Sequence, residues 1–368
     1  MSTTHPVIPA SSPFNSDAPG PRVTSSFSNE YANLLYVEQL IPQQGKIDVP
    51  TWAGCSFEMR GLYGTASLRY GPNPIDKLPD PINNTPYSYL SFSGQIYITH
   101  SLPLSKYSSS TDADGTQHVI VETPYAWTPN SWYTTVIRSW VSDLLPERYI
   151  AVFIYSYSAN KWTHCLSGQS PSIEDENPLL IGKNCTSAIF NAPEGNSTTG
   201  VFGQHYFMDM NGSWVRPNYY TAWANTEPQN WNAELYQNVN ILLKSEENSG
   251  NSEHQKTFFP NQYNSKPKPV VSPHLQSLES WYDFTTGKIE LKWKISENTP
   301  PQFKVFIKIH KDSVYGPLQF ETSSYSIDAR ETSIHVGSIE AGQYFATLEF
   351  IDIFNNKSNF GYNGFTVP

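Results

Sequence analysis

Residues 150–157 read Ile-Ala-Val-Phe-Ile-Tyr-Ser-Tyr, a run that is apolar at nearly every position. A strand with one wet face alternates apolar and polar residues, and this run does not. It has the texture of a strand covered on both faces, as in a layered β structure. The surrounding chain agrees. From Tyr31 onward, short apolar segments are separated by clusters of Gly, Pro, Asn and Asp, the pattern of many short strands. Segments 56–59, 66–70, 89–92, 95–99, 118–122, 133–140 and 201–208 all read as strands. Only Asn29–Ile41 offers a helix-length alternative, with apolar residues at 31, 34 and 35.

The expected fold class is therefore all-β. A β-sandwich or jelly roll is expected over residues 29–245, with two packed sandwiches divided near residue 125 as the alternative. Residues 1–28 are rich in Ser, Thr and Pro, lack apolar periodicity, and read as a flexible leader. They also lack the apolar core of a secretory signal. Residues 246–271 are polar, then alternate Pro and Lys, and read as a linker. Residues 272–368 are about the size of a seven-stranded sandwich.

Composition narrows the function. The 368-residue chain carries 23 basic and 33 acidic residues, a formal charge of −10, so a phosphate-binding footprint is absent. Nucleic acid is not an expected partner. Charged residues make up 15% of the chain against roughly 25% in an average domain, while aromatics reach 14%. Aromatic surface takes the place of charge. No apolar run approaches the ~20 residues of a membrane span. Cys55, Cys165 and Cys185 are too few for a disulfide scaffold; three reduced thiols or one Cys165–Cys185 bridge remain open. Five N-x-Ser/Thr sequons, at Asn83, Asn184, Asn196, Asn211 and Asn356, arise readily by chance in so Asn-, Ser- and Thr-rich a chain.

In the last hundred residues, Ile289-Glu-Leu-Lys-Trp-Lys-Ile alternates strictly, placing Ile289, Leu291, Trp293 and Ile295 on one face. Phe303–Ile309, Ser333–Val336 and Gly342–Asp352 continue the strand pattern, and Asp352-Ile-Phe-Asn-Asn-Lys-Ser makes a turn. This module resembles a fibronectin type III domain. The resemblance implies a core role for Trp293, a tyrosine corner at Tyr344, and a spacer or adhesive support.

The region from Asn130 to about Lys244 carries Trp132, Trp140, Trp162, Trp214, Trp223 and Trp231, with an Asn211-Gly-Ser-Trp214 turn. It resembles a bacterial family of secreted, aromatic-rich β proteins, a domain of unknown function often found beside carbohydrate-binding modules. That resemblance supplies no catalytic residues. Read from the residues themselves, Asn211-Gly212 suits a type I′ hairpin. Downstream, Pro217–Trp223 and Glu227–Trp231 place aromatics in loop-like sequence. Sugars stack their C–H faces on rings and hydrogen-bond to amides and guanidinium groups. Trp214, Arg216, Asn218, Tyr219, Tyr220, Trp223, Gln229, Asn230 and Trp231 supply that mixture and form the candidate glycan site. The competing reading is that these rings cap or pack the sandwich.

Catalytic patterns are thin. A glycosidase needs two facing carboxylates, and Glu58, Glu122, Asp209, Glu227 and Glu234 are candidates that no spacing pairs. No Gly-x-Ser-x-Gly elbow occurs, and Ser167-Gly168 near His164 is the nearest approach to a nucleophile and base. Asp112-Ala-Asp-Gly115 copies the start of a calcium loop without its later ligands; a plain turn and a structural Ca²⁺ on Asp112 and Asp114 are its two readings. No other cofactor is expected, because zinc motifs and phosphate loops are missing.

Three functions follow. The leading one is a non-enzymatic glycan-binding protein, extracellular or at the cell surface, although a cytoplasmic location fits the missing signal. The second is a carbohydrate-active hydrolase or lyase. The third is a structural component that self-assembles or binds protein partners through flat aromatic surfaces.

Overall fold

The computed structural model describes residues 20–28, 31–41, 51–59, 61–72, 84–141, 147–170, 180–181, 184–190, 198–224, 230–245, 251–259, 267 and 269–368. The chain forms two compact units, 1–267 and 268–368. Strands build both, and no α-helix occurs among the described residues. No helix there is long and apolar enough to cross a membrane.

The first unit consists of two antiparallel sheets. One runs β20 (Gln255–Phe258), β17 (Tyr219–Ala224), β1 (Pro21–Ser26), β14 (Asn184–Phe190), β4 (Thr51–Met59), β5 (Leu62–Pro72), β6 (Asn84–Ser93), β9 (Gln117–Pro124), β8 (Lys106–Thr111). Short β13 (Leu180–Ile181) and β2 (Tyr31–Ala32) pair at its side. The other runs β18 (Trp231–Tyr236), β19 (Asn240–Ser245), β15 (Thr198–Met208), β3 (Leu34–Ile41), β10 (Ser131–Val141), β11 (Arg148–Ser156), β12 (Lys161–Ser170), β7 (Tyr97–Ser101), with β16 (Trp214–Val215) on β15. Residues on both sides of position 125 therefore share one pair of sheets.

Alternate side chains fill the space between the sheets. The second sheet contributes Leu35, Val37, Ile137, Ile150, Val152 and Ile154; the first contributes Val23, Phe57, Leu62, Leu68, Leu90, Phe92 and Val121. Each such side chain stabilises the fold by roughly 1.5–3 kcal/mol. Close packing needs Gly64 opposite Phe57, where a Cβ would stand 1.9 Å from the ring.

The run at 150–157 is buried on both faces, as its composition implies. Ile150, Val152 and Ile154 enter the sandwich core. On the other face Phe153 stacks on His164 at 4.9 Å, and Tyr155 meets Trp162 at 4.9 Å. The helical alternative for 29–41 is not realised: Leu34–Ile41 is β3, buried on both sides, and residues 29 and 30 lie outside the described set. Burial of both faces erased the alternation that would have marked it as a strand.

Two expected irregular segments also contain strands. Pro21–Ser26, placed in the leader, is β1, set between β14 and β17. Of its core-facing residues only Val23 is a large hydrophobe; Ser25 meets the interior through a hydrogen bond, so no apolar period was visible. Gln255–Phe258, placed in the linker, pairs with β17 as β20. The Cys165–Cys185 bridge is not formed. All three thiols are free and buried, with Cys165 on the second sheet and Cys185 on the first. Burial pushes the Cys165 thiol up to about 12 and raises those of Cys55 and Cys185 well above the ordinary thiol value.

The second unit has a three-stranded sheet, β21 (Leu275–Asp283), β22 (Lys288–Ile295), β25 (Glu331–His335), and a four-stranded one, β24 (Leu318–Tyr325), β23 (Gln302–Lys311), β26 (Gly342–Asp352), β27 (Gly361–Val367). Trp293 is buried and donates its Nε1–H to Gln302 Oε1 at 2.8 Å. Tyr344 donates its hydroxyl to the Glu340 carbonyl at 2.9 Å. Buried Asp352 accepts hydrogen bonds from the amides of Phe354 and Asn356, both at 2.8 Å, closing the turn before the last strand.

Candidate functional site

The residues expected to form one aromatic platform are divided between the two sheets. Tyr219–Ala224 is not a loop. It adds β17 beside β1, so its side chains alternate. Tyr220 turns inward, 1% exposed, and its hydroxyl accepts the His205 amide at 3.2 Å. Tyr219 and Trp223 turn outward. Trp223 lies under the buried Arg22 guanidinium, 4.8 Å from ring to charge, and its Nε1–H reaches Thr24 at 3.4 Å. Trp231, fully buried, belongs to the core of the other sheet. Trp214 is half-buried on β16 and sets its edge against Tyr36 and Tyr206. Arg216, Asn218 and Asn230 are exposed, and Gln229 lies outside the described residues. Tyr220 and Trp231 are thus core residues, as the packing alternative required.

The hairpin at 209–213 differs in type from the expected I′ turn. Gly212 alone takes a positive φ (79°), and Asp209 accepts the amides of Asn211 and Ser213 at 2.9 and 2.8 Å. Asp209 therefore caps the turn. Glu234 pairs with Lys244 at 2.8 Å on the surface, and Glu227 lies outside the described residues. His164 does approach Ser167, with Nε2 2.8 Å from Oγ, but the same nitrogen lies 3.1 Å from the Leu166 carbonyl. A carbonyl accepts only, so the nitrogen facing it serves as a donor and is not placed to take the serine proton. Its ring is also sandwiched between His100 at 4.2 Å and Phe153.

The outer face of the first sheet holds a groove of about 860 Å³, lined mainly by residues the sequence reading did not single out. Register builds it in rows. Glu58, Tyr63, Ser93, His118 and Ser110 lie side by side across five strands. Ser56, Thr65, Ser91, Ile120 and Ser108 form the next row, and Ser67, Tyr89, Glu122 and Lys106 the third. Because successive side chains point to opposite faces, Leu62, Ala66, Leu68, Leu90 and Phe92 between them fill the core. Tyr63 and Tyr89 stand two rows apart, roughly 14 Å along the strands, with small serines and Thr65 between them. Arg69 covers one face of Tyr89, its guanidinium carbon 3.2 Å from the ring centre. Gly94 closes one end at φ 118°; a Cβ there would stand 2.3 Å from the Gly61 carbonyl.

Asp112-Ala-Asp-Gly115 is the turn joining β8 to β9 at the rim of this groove. Asp112 donates its amide to the Thr116 carbonyl, and Asp114 Oδ1 accepts the Thr116 amide, both at 2.9 Å. That backbone bond holds the Asp114 carboxyl below its ordinary value. Asp112 Oδ2 meets His118 Nε2 at 2.8 Å. Each carboxylate thus has one oxygen engaged by the turn or a neighbour. At the other side Glu58 is held above the usual carboxylate range by burial, partly offset by a hydrogen bond from Tyr63.

The second sheet carries a buried polar cluster that periodicity did not show. Glu38 Oε1 accepts the hydroxyls of Tyr36 at 3.0 Å and Tyr157 at 2.6 Å, and Thr134 donates to Tyr36 at 3.0 Å. Burial raises both phenols far above 10, so they stay protonated as donors. A β-bulge at 203–204 on β15 faces Glu38. Gly203 leaves room for it, since a Cβ there would stand 2.7 Å from Glu38 Cβ. The only signal in the sequence was Glu38-Gln39 inside an apolar stretch.

No protein-family model matches this chain, and no curated protein matches it. Among solved structures, a family 76 glycoside hydrolase from a bovine Bacteroides thetaiotaomicron strain is 12% identical over 26% of this chain, with a TM-score of 0.21. The chain spans about a fifth of that hydrolase's length (20%). Scytalido-glutamic peptidase with a transition state analog inhibitor is 6% identical, covered over 62% of this chain and 98% of its own, at a TM-score of 0.35. Titin domains A168–A170 are 9% identical over 94% of this chain and 98% of theirs, at 0.19. At these TM-scores none of them bears on what the chain does.

Proposed function

We propose that the first unit is a glycan-binding module that works without catalysis, and that the groove on the outer face of its first sheet is the contact surface. The observation that carries this reading is the groove itself: a concave sheet face whose rows set Tyr63 and Tyr89 at opposite ends of a floor of small hydroxyl side chains. Aromatic rings offer faces for sugar C–H groups, while Ser91, Ser93, Gln95, Gln117, Asp112 and His118 offer hydroxyl partners. The spacing of the tyrosines suits a short oligosaccharide better than a single sugar. The reading keeps the function expected from sequence and moves its site away from residues 214–231.

Hydrolysis at this face has less support. Glu58 and Glu122 lie three strands and two rows apart, roughly 20 Å by sheet geometry, well beyond the ~5–10 Å of a glycosidase pair. For the second unit we favour a fibronectin type III-like support. Its three-plus-four strand arrangement, buried Trp293 and the Tyr344-to-Glu340 bond support that. Such a pairing of modules suits a protein outside the cell or on its surface.

The test is a titration of the full chain with a panel of oligosaccharides, following intrinsic fluorescence and assaying new reducing ends in the same samples. Saturable binding without new reducing ends is expected. Tyr63→Ala and Tyr89→Ala should each weaken it about tenfold, or ~1.4 kcal/mol, with the melting temperature nearly unchanged for Tyr63→Ala and lowered for Tyr89→Ala by loss of the Arg69 contact. Binding that is indifferent to both substitutions would remove the groove as the site. New reducing ends would make the protein a hydrolase or lyase.

A further inference from the structure

Resting on the reading of the groove as a glycan site, we infer that its ligand is a cationic glycan, an oligosaccharide of 2-amino-2-deoxy sugars with free amines. The sign of the groove points there. Its described lining includes two carboxylates, Asp112 and Asp114, and no lysine or arginine. His118, also in the lining, meets Asp112 Oδ2 at 2.8 Å. Arg69 covers one face of Tyr89 and is not itself part of the lining.

Both carboxylates keep capacity for a ligand. A carboxylate offers about four lone-pair positions on two oxygens. Asp112 gives Oδ2 to His118, and Asp114 gives Oδ1 to the Thr116 amide. The β8–β9 turn thus presents both at the rim, fixed by the Asp112 amide and the Gly115-to-Asp112 backbone bond at 3.0 Å. A protonated amine on a sugar stacked at Tyr63 would approach this rim along the first row of the sheet. An anionic uronic acid would find hydroxyl and amide groups there but two carboxylates and no lysine or arginine in the lining. A neutral N-acetylated sugar would keep the stacking and lose the charge attraction. The chain's overall charge of −10 adds a field of the same sign, which speeds encounter with a cation at low salt.

The experiment uses the full chain and two oligomers of equal length, one of glucosamine and one of N-acetylglucosamine, titrated calorimetrically at about pH 6. Each is measured at about 0.05 M and about 0.5 M salt, where the screening length falls severalfold. The glucosamine oligomer should bind about tenfold more tightly at low salt, and the preference should shrink to about twofold at high salt. Asp112→Asn combined with Asp114→Asn should remove the preference while leaving binding of the N-acetylated oligomer. Tyr63→Ala should weaken both oligomers by the same factor. Equal affinity for the two oligomers in the unmodified protein overturns the inference and leaves the glycan reading standing. So does a preference that survives the double substitution. No binding of these or of any other oligosaccharide in the panel overturns both.

Discussion

His205 shows how much one buried residue can decide. It is fully buried between the sheets, Nδ1 2.8 Å from Ser25 Oγ, with Ser187 Oγ 3.5 Å from Nε2 and the Tyr220 ring edge-on at 5.3 Å. Burial lowers its pKa from the ordinary 6.5 to about 3, because the charged imidazolium would lose its solvation there. Below pH 6.5 the unfolded chain therefore binds a proton that the folded one refuses. Stability is complete above that value and declines as the pH falls towards 3. Urea unfolding at pH 7 and pH 4 should differ by about 3 kcal/mol from this group, and His205→Phe should flatten that part of the profile. Trp223 makes a second residue-scale case. Its ring covers the guanidinium of Arg22, which is 2% exposed. Trp223→Ala should lower stability by about 1–3 kcal/mol, seen as a lower urea midpoint at unchanged slope. A ring serving only as a ligand platform would show no such loss.

At the scale of elements, the bulge in β15 is sensitive to change. Gly203→Ala would press a methyl group against Glu38 Cβ at 2.7 Å and the Trp132 ring at 2.9 Å. A loss of about 1–3 kcal/mol is expected, read as a fall in melting temperature, with Gly115→Ala, which meets nothing within 4 Å, giving a smaller loss from its φ of 86° alone. Strands with a clear period or a nearly unbroken apolar run were legible in the sequence: β11 from its seven consecutive apolar positions, Tyr149–Tyr155, and β22 from its strict alternation. β1, β3 and β20 were not, for different physical reasons. β3 is buried on both faces and mixes Glu38 and Gln39 into its interior. β1 has one large inward hydrophobe, and β20 is four residues at an edge. The groove was hidden for a related cause. Tyr63-x-Thr65-x-Ser67-x-Arg69 looks like the solvent side of any half-buried strand, and only register across β4, β5, β6 and β9 turns it into a surface with rows. The 214–231 aromatics misled because β17 alternates: half of a Tyr-Tyr-Thr-Ala-Trp segment must face the core.

At the scale of the whole molecule, each unit has its own apolar centre, that of the second built on Ile289, Leu291, Trp293, Ile307, Leu348 and Phe350. Residues 268–368 made alone should therefore fold cooperatively, giving a single unfolding transition with Trp293 emission in the blue-shifted range of a buried indole; a red-shifted, non-cooperative trace would show dependence on the first unit. The first unit is wired differently. β1 pairs Arg22 with Ala188 on one side and with Trp223 on the other. β1 is thus made some 160 to 200 residues ahead of the strands that flank it. Pairing over such sequence distances is slow to nucleate. During synthesis β4, β5 and β6 can form hairpins while the central slot for β1 stays open, exposing a sheet edge that another chain could fill. β1 acts as a late fastener, and the yield of folded protein should depend on chaperones that shield that gap until residue 224 has emerged.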